Sequence, residues 1–256
     1  MKKNMIIMNA NMKNAFAYMN AMISVDASNV VKICDGAFKN SNITGVKLGS
    51  SVKQLSTKEN FSFKVFSYCA NLRKITVSND NENFRDIDGV LFDKNGETLY
   101  KYPASKTNVK YIIPDGVTTL YQECFAGNGH IKEVETSGNI PISEVREHAF
   151  YGCSSLKSVY FQNSEAPKIN GEDPFSEVDK KFSVYYSSRY ETGWENFEKI
   201  CFVKEYTGDI SNDPNSADYY AIIVQNTDGE KINGITVTLS DGEVNTTTRT
   251  KNGAVI

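Results

Sequence analysis

Ala149-Phe150-Tyr151-Gly152-Cys153-Ser154-Ser155-Leu156-Lys157-Ser158-Val159-Tyr160-Phe161 is the stretch from which the rest of the chain can be read, because three other windows superpose on it. Val65-Phe66-Ser67-Tyr68-Cys69-Ala70-Asn71-Leu72 leads to Ile75 and Val77. Cys124-Phe125-Ala126-Gly127-Asn128-Gly129-His130-Ile131 leads to Val134. Asp35-Gly36-Ala37-Phe38 leads to Ile43, Val46 and Leu48 in a version one residue shorter. Counted from the phenylalanine, apolar residues return at +6, +9 and usually +11, and Cys or Asn stands at +3 in the three longer windows.

Phe125, Phe150 and Phe175 are 25 residues apart, inside the range of leucine-rich repeats. In each unit the last two apolar side chains share one strand face and point inward, while the residues between them point out. One such strand cannot bury its apolar face alone, so neighbouring coils must stack into a continuous core. The phenylalanine fills the far wall, and each fully buried ring contributes about 1.5–3 kcal/mol. The small polar residue at +3 is expected to satisfy backbone groups where the chain turns. The expected fold is a leucine-rich-repeat solenoid, with short parallel strands on one face and irregular turns on the other.

The interval from Phe66 to Phe125 is 59 residues, too long for two plain coils. Within it, Val90-Leu91-Phe92, Asn95-Gly96 and Leu99-Tyr100-Lys101-Tyr102 read as an inserted β-hairpin, ended by Pro103. Tyr111-Ile112-Ile113 starts the next strand. At the far end Phe182 to Tyr186 reads as a closing strand, and Tyr190, Trp194 and Phe197 follow at helical spacing as a terminal cap.

The Ala-Phe-x-x-Cys-x-x-Leu-x-x-Ile/Val units resemble the BspA-type leucine-rich-repeat family. So do the insertion running from Asp88-Gly89-Val90-Leu91-Phe92 to Ile113-Pro114-Asp115-Gly116-Val117 and the Tyr190, Trp194, Phe197 ending. The resemblance covers about residues 28–206, with departures at Phe61-Ser62-Phe63 and Asn128-Gly129. It implies a surface or secreted protein, often bacterial, that mediates adhesion or host interaction. It supplies no catalytic residue.

The two ends differ from this pattern. All six methionines fall within the first 22 positions, and Met5, Met8, Met12, Ala15, Met19 and Met22 form a helical stripe. Residues 1–27 therefore read either as an amphipathic helix covering the first coil or as a secretory signal, with Lys2 and Lys3 in front and Val25-Asp26-Ala27 at its end. Asn9, Asn11, Lys13 and Asn14 interrupt the apolar core that a signal needs. Residues 207–218 form a polar linker. Residues 219–256 resemble the opening of a carboxypeptidase-regulatory-like or collagen-adhesin B-type repeat, a partial all-β sandwich. Its expected strands are Tyr219 to Val224, Ile232 to Leu239 and Glu243 to Thr250.

Composition excludes some functions. The net charge of −3 offers no basic footprint for nucleic acid, and no run of eighteen apolar residues suggests a membrane span. Membrane association is expected only through a signal or anchor. Five cysteines cannot all pair within one chain and none stands in C-x-x-C, so all five are expected to be buried free thiols. His148 lies beside Glu147 and near Cys153, but Cys153 holds the repeat position of Cys69, which favours a structural role over a Cys-His pair. Asn79 to Gly89 is acidic yet lacks the spacing of a calcium loop, and reads as a solvated turn. No catalytic motif, metal site or cofactor is expected.

The remaining candidates are the outward strand positions, Lys47, Lys74, Thr76, Ile112, Glu133, Glu135, Ser158, Tyr160 and Gln162, expected to form one continuous face. Tyr100 and Tyr102 on the hairpin are alternative contacts. The expected function is a non-enzymatic binding scaffold for an extracellular protein or glycan. The alternative is a structural spacer with no ligand of its own.

Overall fold

A computed structural model describes residues 3–6, 14–56, 64–137, 140–163, 165–187, 193–194, 197, 202–206, 236–240 and 245–249. The chain winds as successive coils whose strands stack in parallel. The first block carries β1 (Lys3–Ile6), β2 (Met22–Ala27), β4 (Gly45–Leu48) and β6 (Lys74–Val77) in the order β1-β2-β4-β6. On its other wall β3 (Lys32–Ile33) pairs with β5 (Gln54–Leu55).

A three-stranded antiparallel meander follows: β7 (Phe84–Ile87), β8 (Val90–Asp93) and β9 (Thr98–Lys101). From β9 a sheet continues in parallel through β11 (Thr119–Leu120), β13 (Glu144–Arg146) and β15 (Lys168–Asn170). The opposite wall of this second block is β10 (Lys110–Ile113), β12 (Glu133–Thr136), β14 (Ser158–Phe161), β16 (Ser183–Ser187) and β17 (Phe202–Tyr206).

Register explains why the +9 and +11 positions are apolar. Val25, Val46 and Ile75 align across three strands, as do Tyr111, Val134, Val159 and Val184 across four. On the other wall Leu99, Leu120, Val145 and Ile169 align. Each row is a stripe that only its neighbouring coils can cover. The phenylalanines stack between the walls. Phe16, Phe38 and Phe66 lie 5.8 and 5.9 Å apart in nearly parallel planes. Tyr102, Phe125, Phe150 and Phe175 form a second ladder, with rings 5.1, 4.8 and 5.2 Å apart.

The corners beside each ring use left-handed backbone. Two residues before the ring stand Asn14, Gly36, Glu123 and His148; two after it stand Tyr18, Asn40, Tyr68, Gly127, Gly152 and Glu177, all with positive φ. Because these recur coil after coil, they are the turning device of the repeat, held by stacking, and not strain reserved for one site.

Four expectations need correction. Residues 14–27 are not helical: they form a turn around Phe16 and then β2, which pairs with β4. Phe16 with Met22, Val25 and Ala27 at +6, +9 and +11 is a further repeat unit, and the methionine stripe at similar spacing obscured it. The insertion has three strands, because Phe84 to Ile87 pairs with β8 through a two-residue Asp88-Gly89 turn. Asn79 to Gly89 is a solvated turn only in part: Asn79, Asp80, Glu82 and Asp88 are exposed, but Asn81 is fully buried and Asp86 Oδ1 accepts the Val77 N–H at 2.7 Å. Tyr102 is not exposed either; it is fully buried and takes the place of a phenylalanine in the second ladder.

The meander also divides the core. Leu91 packs with the first block, while Val90 and Phe92 belong to the second. Strand β8 is thus buried on both faces, a wedge between two solenoid segments. Trp194 and Phe197 are buried and close the far end, with Trp194 stacked on Tyr186 at 4.7 Å. Cys34, Cys69, Cys124 and Cys153 are buried free thiols; Cys201 lies outside the described residues. In the tail, β18 (Thr236–Ser240) and β19 (Asn245–Arg249) form an antiparallel hairpin. The linker, the expected strand at Tyr219 to Val224 and the rest of the sandwich lie outside the described residues.

Candidate functional site

The outward residues do not share one face. Lys47, Lys74 and Thr76 sit on β4 and β6, and β6 has no strand partner in the sheet that carries the others. The break follows from the wedge: the N–H of Ile75 bonds to the carbonyl of Gly89 in the meander turn, at 2.9 Å. On this smaller sheet Asp26, Lys47 and Thr76 align in one row. Thr76 donates its hydroxyl to the carbonyl of Val46 at 3.4 Å.

The five-stranded sheet assembles the other candidates into two rows. One runs Lys110, Glu133, Ser158, Ser183; the other runs Ile112, Glu135, Tyr160, Tyr185. Tyr160 and Tyr185 stack at 4.7 Å with an interplanar angle of 15°, and Ile112 is 55% exposed at the start of the same row. Ser158 is buried, so it belongs to the floor of the sheet and not to its contact surface. Gln162 lies just past β14 and donates Nε2 to Glu135 Oε1 at 3.2 Å.

Opposite charges pair within the face. The Lys110 ammonium lies 2.8 Å from carboxylate oxygens of both Glu133 and Glu135. Partial burial acts to lower the Lys110 pKa, but the two carboxylates outweigh it and hold the group above its ordinary value. Glu135 is only 5% exposed, and Lys110 with Gln162 compensates its buried charge. Lys110 is shared between two carboxylates, so the cluster keeps one net negative charge, and Ile112 with the stacked tyrosines is the part of the sheet that desolvates at least cost. Aromatic anchors of this kind dominate binding energy at interfaces. Sequence reasoning missed Lys110 and Tyr185; alternation along β10 and within Phe182 to Tyr186 carried the signal for both.

A second concavity lies at the corners. Asn40, Tyr68, Cys69, Ala104, Glu123, His148 and Tyr151 line a cleft of about 510 Å³ where the coil of Phe66 meets that of Phe125. Tyr68 is 61% exposed, and the Lys39 ammonium lies 5.7 Å from its ring centre. Glu123 accepts the Ser67 hydroxyl at 2.5 Å, and the buried Lys101 donates Nζ to the carbonyls of Glu123 and Ala126. Cys153 donates its thiol to the carbonyl of Phe125 at 3.2 Å, which is a bond between coils and not a Cys-His pair.

The profile of the BspA type leucine rich repeat region matches residues 6–62, 60–176 and 97–207, in six copies. A leucine rich cell surface protein from Faecalibacterium prausnitzii superposes with a TM-score of 0.54 and 20% identity, over 85% of this chain and 63% of its own. A leucine-rich repeat protein from Eubacterium ventriosum superposes with a TM-score of 0.49 and 20% identity, over 68% of this chain and 55% of its own. The pneumococcal vaccine antigen PcpA gives 0.42 and 15%, over 76% and 70%. The chain thus spans less than two thirds of the first two. No functionally curated protein matches it. Among the described residues no helix is long and apolar enough to cross a membrane.

Proposed function

The chain belongs to the BspA-type leucine-rich-repeat family, and from that premise we propose that it is a non-enzymatic binding scaffold, secreted or displayed at the cell surface, whose partner is an extracellular protein or glycan. The observation that carries this reading is the in-register row Ile112, Glu135, Tyr160, Tyr185 on the five-stranded sheet. It combines an exposed aliphatic side chain, a stacked pair of aromatic rings and a carboxylate paired with Lys110. A rigid sheet holds these groups in place before any partner arrives, so little conformational entropy is lost on contact. The description of the Faecalibacterium protein as a cell surface protein is in keeping with display outside the cell.

The test is binding of the full chain to a panel of matrix proteins, mucins and glycans, beside a Tyr160→Ser/Tyr185→Ser variant. The expected result is a partner whose affinity falls at least roughly tenfold in the variant, the effect of losing one interface anchor. Undiminished binding by the variant would move the site away from this sheet. Failure to bind anything across the panel would favour a spacer.

A further inference from the structure

Glu147, His148 and Glu172 come together in the turns that follow β13 and β15. The Nδ1 of His148 is 3.5 Å from Oε1 of Glu147, and its Nε2 is 3.3 Å from Oε2 of Glu172. A neutral imidazole has one N–H and one lone pair, so it can donate toward only one of these carboxylates. The other ring nitrogen then turns its lone pair toward a carboxylate oxygen, an arrangement in which a cation, a proton or a metal ion, is shared between them. Among the described residues this is the one group of three such side chains whose ligand atoms all lie within 4.8 Å of one another.

The repeat builds this cluster. Gln122, Glu147 and Glu172 are spaced by 25 residues and stand three positions before Phe125, Phe150 and Phe175. The strand register puts Gln122, Glu147 and Gly171 in one column, and Glu172, the next residue along, meets Glu147 and His148 at the turn of the adjacent coil. Gln122 is 4% exposed and donates Nε2 to Glu147 Oε1 at 3.3 Å, while its own carbonyl oxygen is buried without a hydrogen-bond partner. Fixing a carboxylate from behind is what outer-shell groups do for metal ligands. Gly171 has a φ of +99°, and a Cβ there would lie 2.7 Å from that of Glu147, so Glu147 is seated against bare backbone beside Glu172. The ring of His148 is steadied edge-on against Tyr151 at 5.4 Å.

We propose that Glu147, His148 and Glu172 bind a first-row divalent transition ion of the zinc class through one imidazole nitrogen and one oxygen from each carboxylate. Imidazole suits zinc, copper, iron or nickel and disfavours calcium and magnesium, while the absence of a thiolate from the set argues against a closed structural site. Glu172 has a side chain that is 78% exposed, so water or a partner's side chain can complete the coordination. No motif in the sequence announces the site, because its ligands are brought together by the coil repeat and not by local spacing.

The chain has only two histidines, which makes the test clean. Zinc chloride is titrated into the full chain by calorimetry, with visible absorption of the cobalt-loaded protein as a second readout. One ion per chain is expected. His148→Asn and Glu172→Gln should each weaken uptake roughly tenfold or more, as loss of a ligand or its support does, while His130→Asn leaves it unchanged. Asn tolerates the left-handed backbone of position 148, and circular dichroism checks that each variant is folded. No stoichiometric uptake, uptake unchanged in both site variants, or loss through His130→Asn would each overturn the proposal.

Discussion

Asn128 is fully buried, and both ends of its amide are bonded to backbone. Its Nδ2 donates to the carbonyls of Pro103 and Lys106 at 3.0 and 2.9 Å, and its Oδ1 accepts the N–H groups of His130 and Ile131, both at 2.9 Å. In other coils a cysteine stands at this position and does part of the same work: Cys69 donates to the carbonyl of Phe38 at 2.9 Å, and Cys153 to that of Phe125. The polar role of the +3 position was thus legible in the sequence. That of Asn81 was not, although it makes an equivalent set of bonds to Gly49, Val52, Asn83 and Phe84, because it lies outside the aligned windows. Asn128→Ala removes a partner from four backbone groups, of which the Pro103 carbonyl keeps the Lys106 N–H, and should cost on the order of 2 kcal/mol. Urea unfolding of the variant measures it, and a loss under 1 kcal/mol would mean that water replaces the amide.

At the scale of the element, the β7-β8-β9 meander is where the solenoid changes segment. Its first turn is Asp88-Gly89, with φ of 51° and 77° at the two central residues, the pairing that suits the right-handed twist of a two-residue hairpin. Gly89 is needed there for a second reason. A Cβ at Gly89 would lie 2.9 Å from Cβ of Lys74, while the Gly89 carbonyl caps the free N–H of Ile75 at the edge of β6. Gly89→Ala should therefore destabilise the protein by about 1–2 kcal/mol. Asp88→Asn, which keeps a residue tolerant of that backbone, should cost less than half of this; equal losses would remove the steric argument. The hairpin was readable from Asn95-Gly96, but the pairing of Phe84 to Ile87 was not. Its residues alternate weakly, and only burial of β8 on both faces requires a strand on that side.

For the whole molecule, burial of thiols couples stability to alkaline pH. Desolvation pushes up the pKa of Cys69, Cys124 and Cys153, in the last case to about 12. The unfolded chain therefore loses these protons first, once the pH passes the ordinary thiol value of 9.0. Their stabilising contribution is complete below that pH and is lost as pH rises toward the folded values. Lys101 opposes the trend, because burial holds its ammonium below 10.5 and charging it costs the folded state, but it is one group against three. The denaturant midpoint should fall above about pH 9, and Cys153→Ala should reduce the slope by up to about 1.4 kcal/mol per pH unit. The same three thiols should resist a disulfide reagent until the protein unfolds. Prompt modification at any of them, mapped by mass spectrometry, would contradict their enclosure.

The repeat, its inward rows, the phenylalanine ladder and the buried cysteines were determined by the sequence itself, since a 25-residue spacing of apolar residues dictates what one coil must lend to the next. The tertiary structure alone decided how far that pattern extends and where it breaks. Phe16 joins the solenoid because its ring stacks on Phe38, and a methionine stripe with helical spacing cannot reveal that. The outward residues divide into two faces because β8 is buried on both sides and separates β6 from β10. Tyr102 enters the core because its coil lacks a phenylalanine and its ring fills the same volume. Each of these outcomes depends on which surfaces remain to be covered once the coils are stacked, a quantity that no single window of sequence contains.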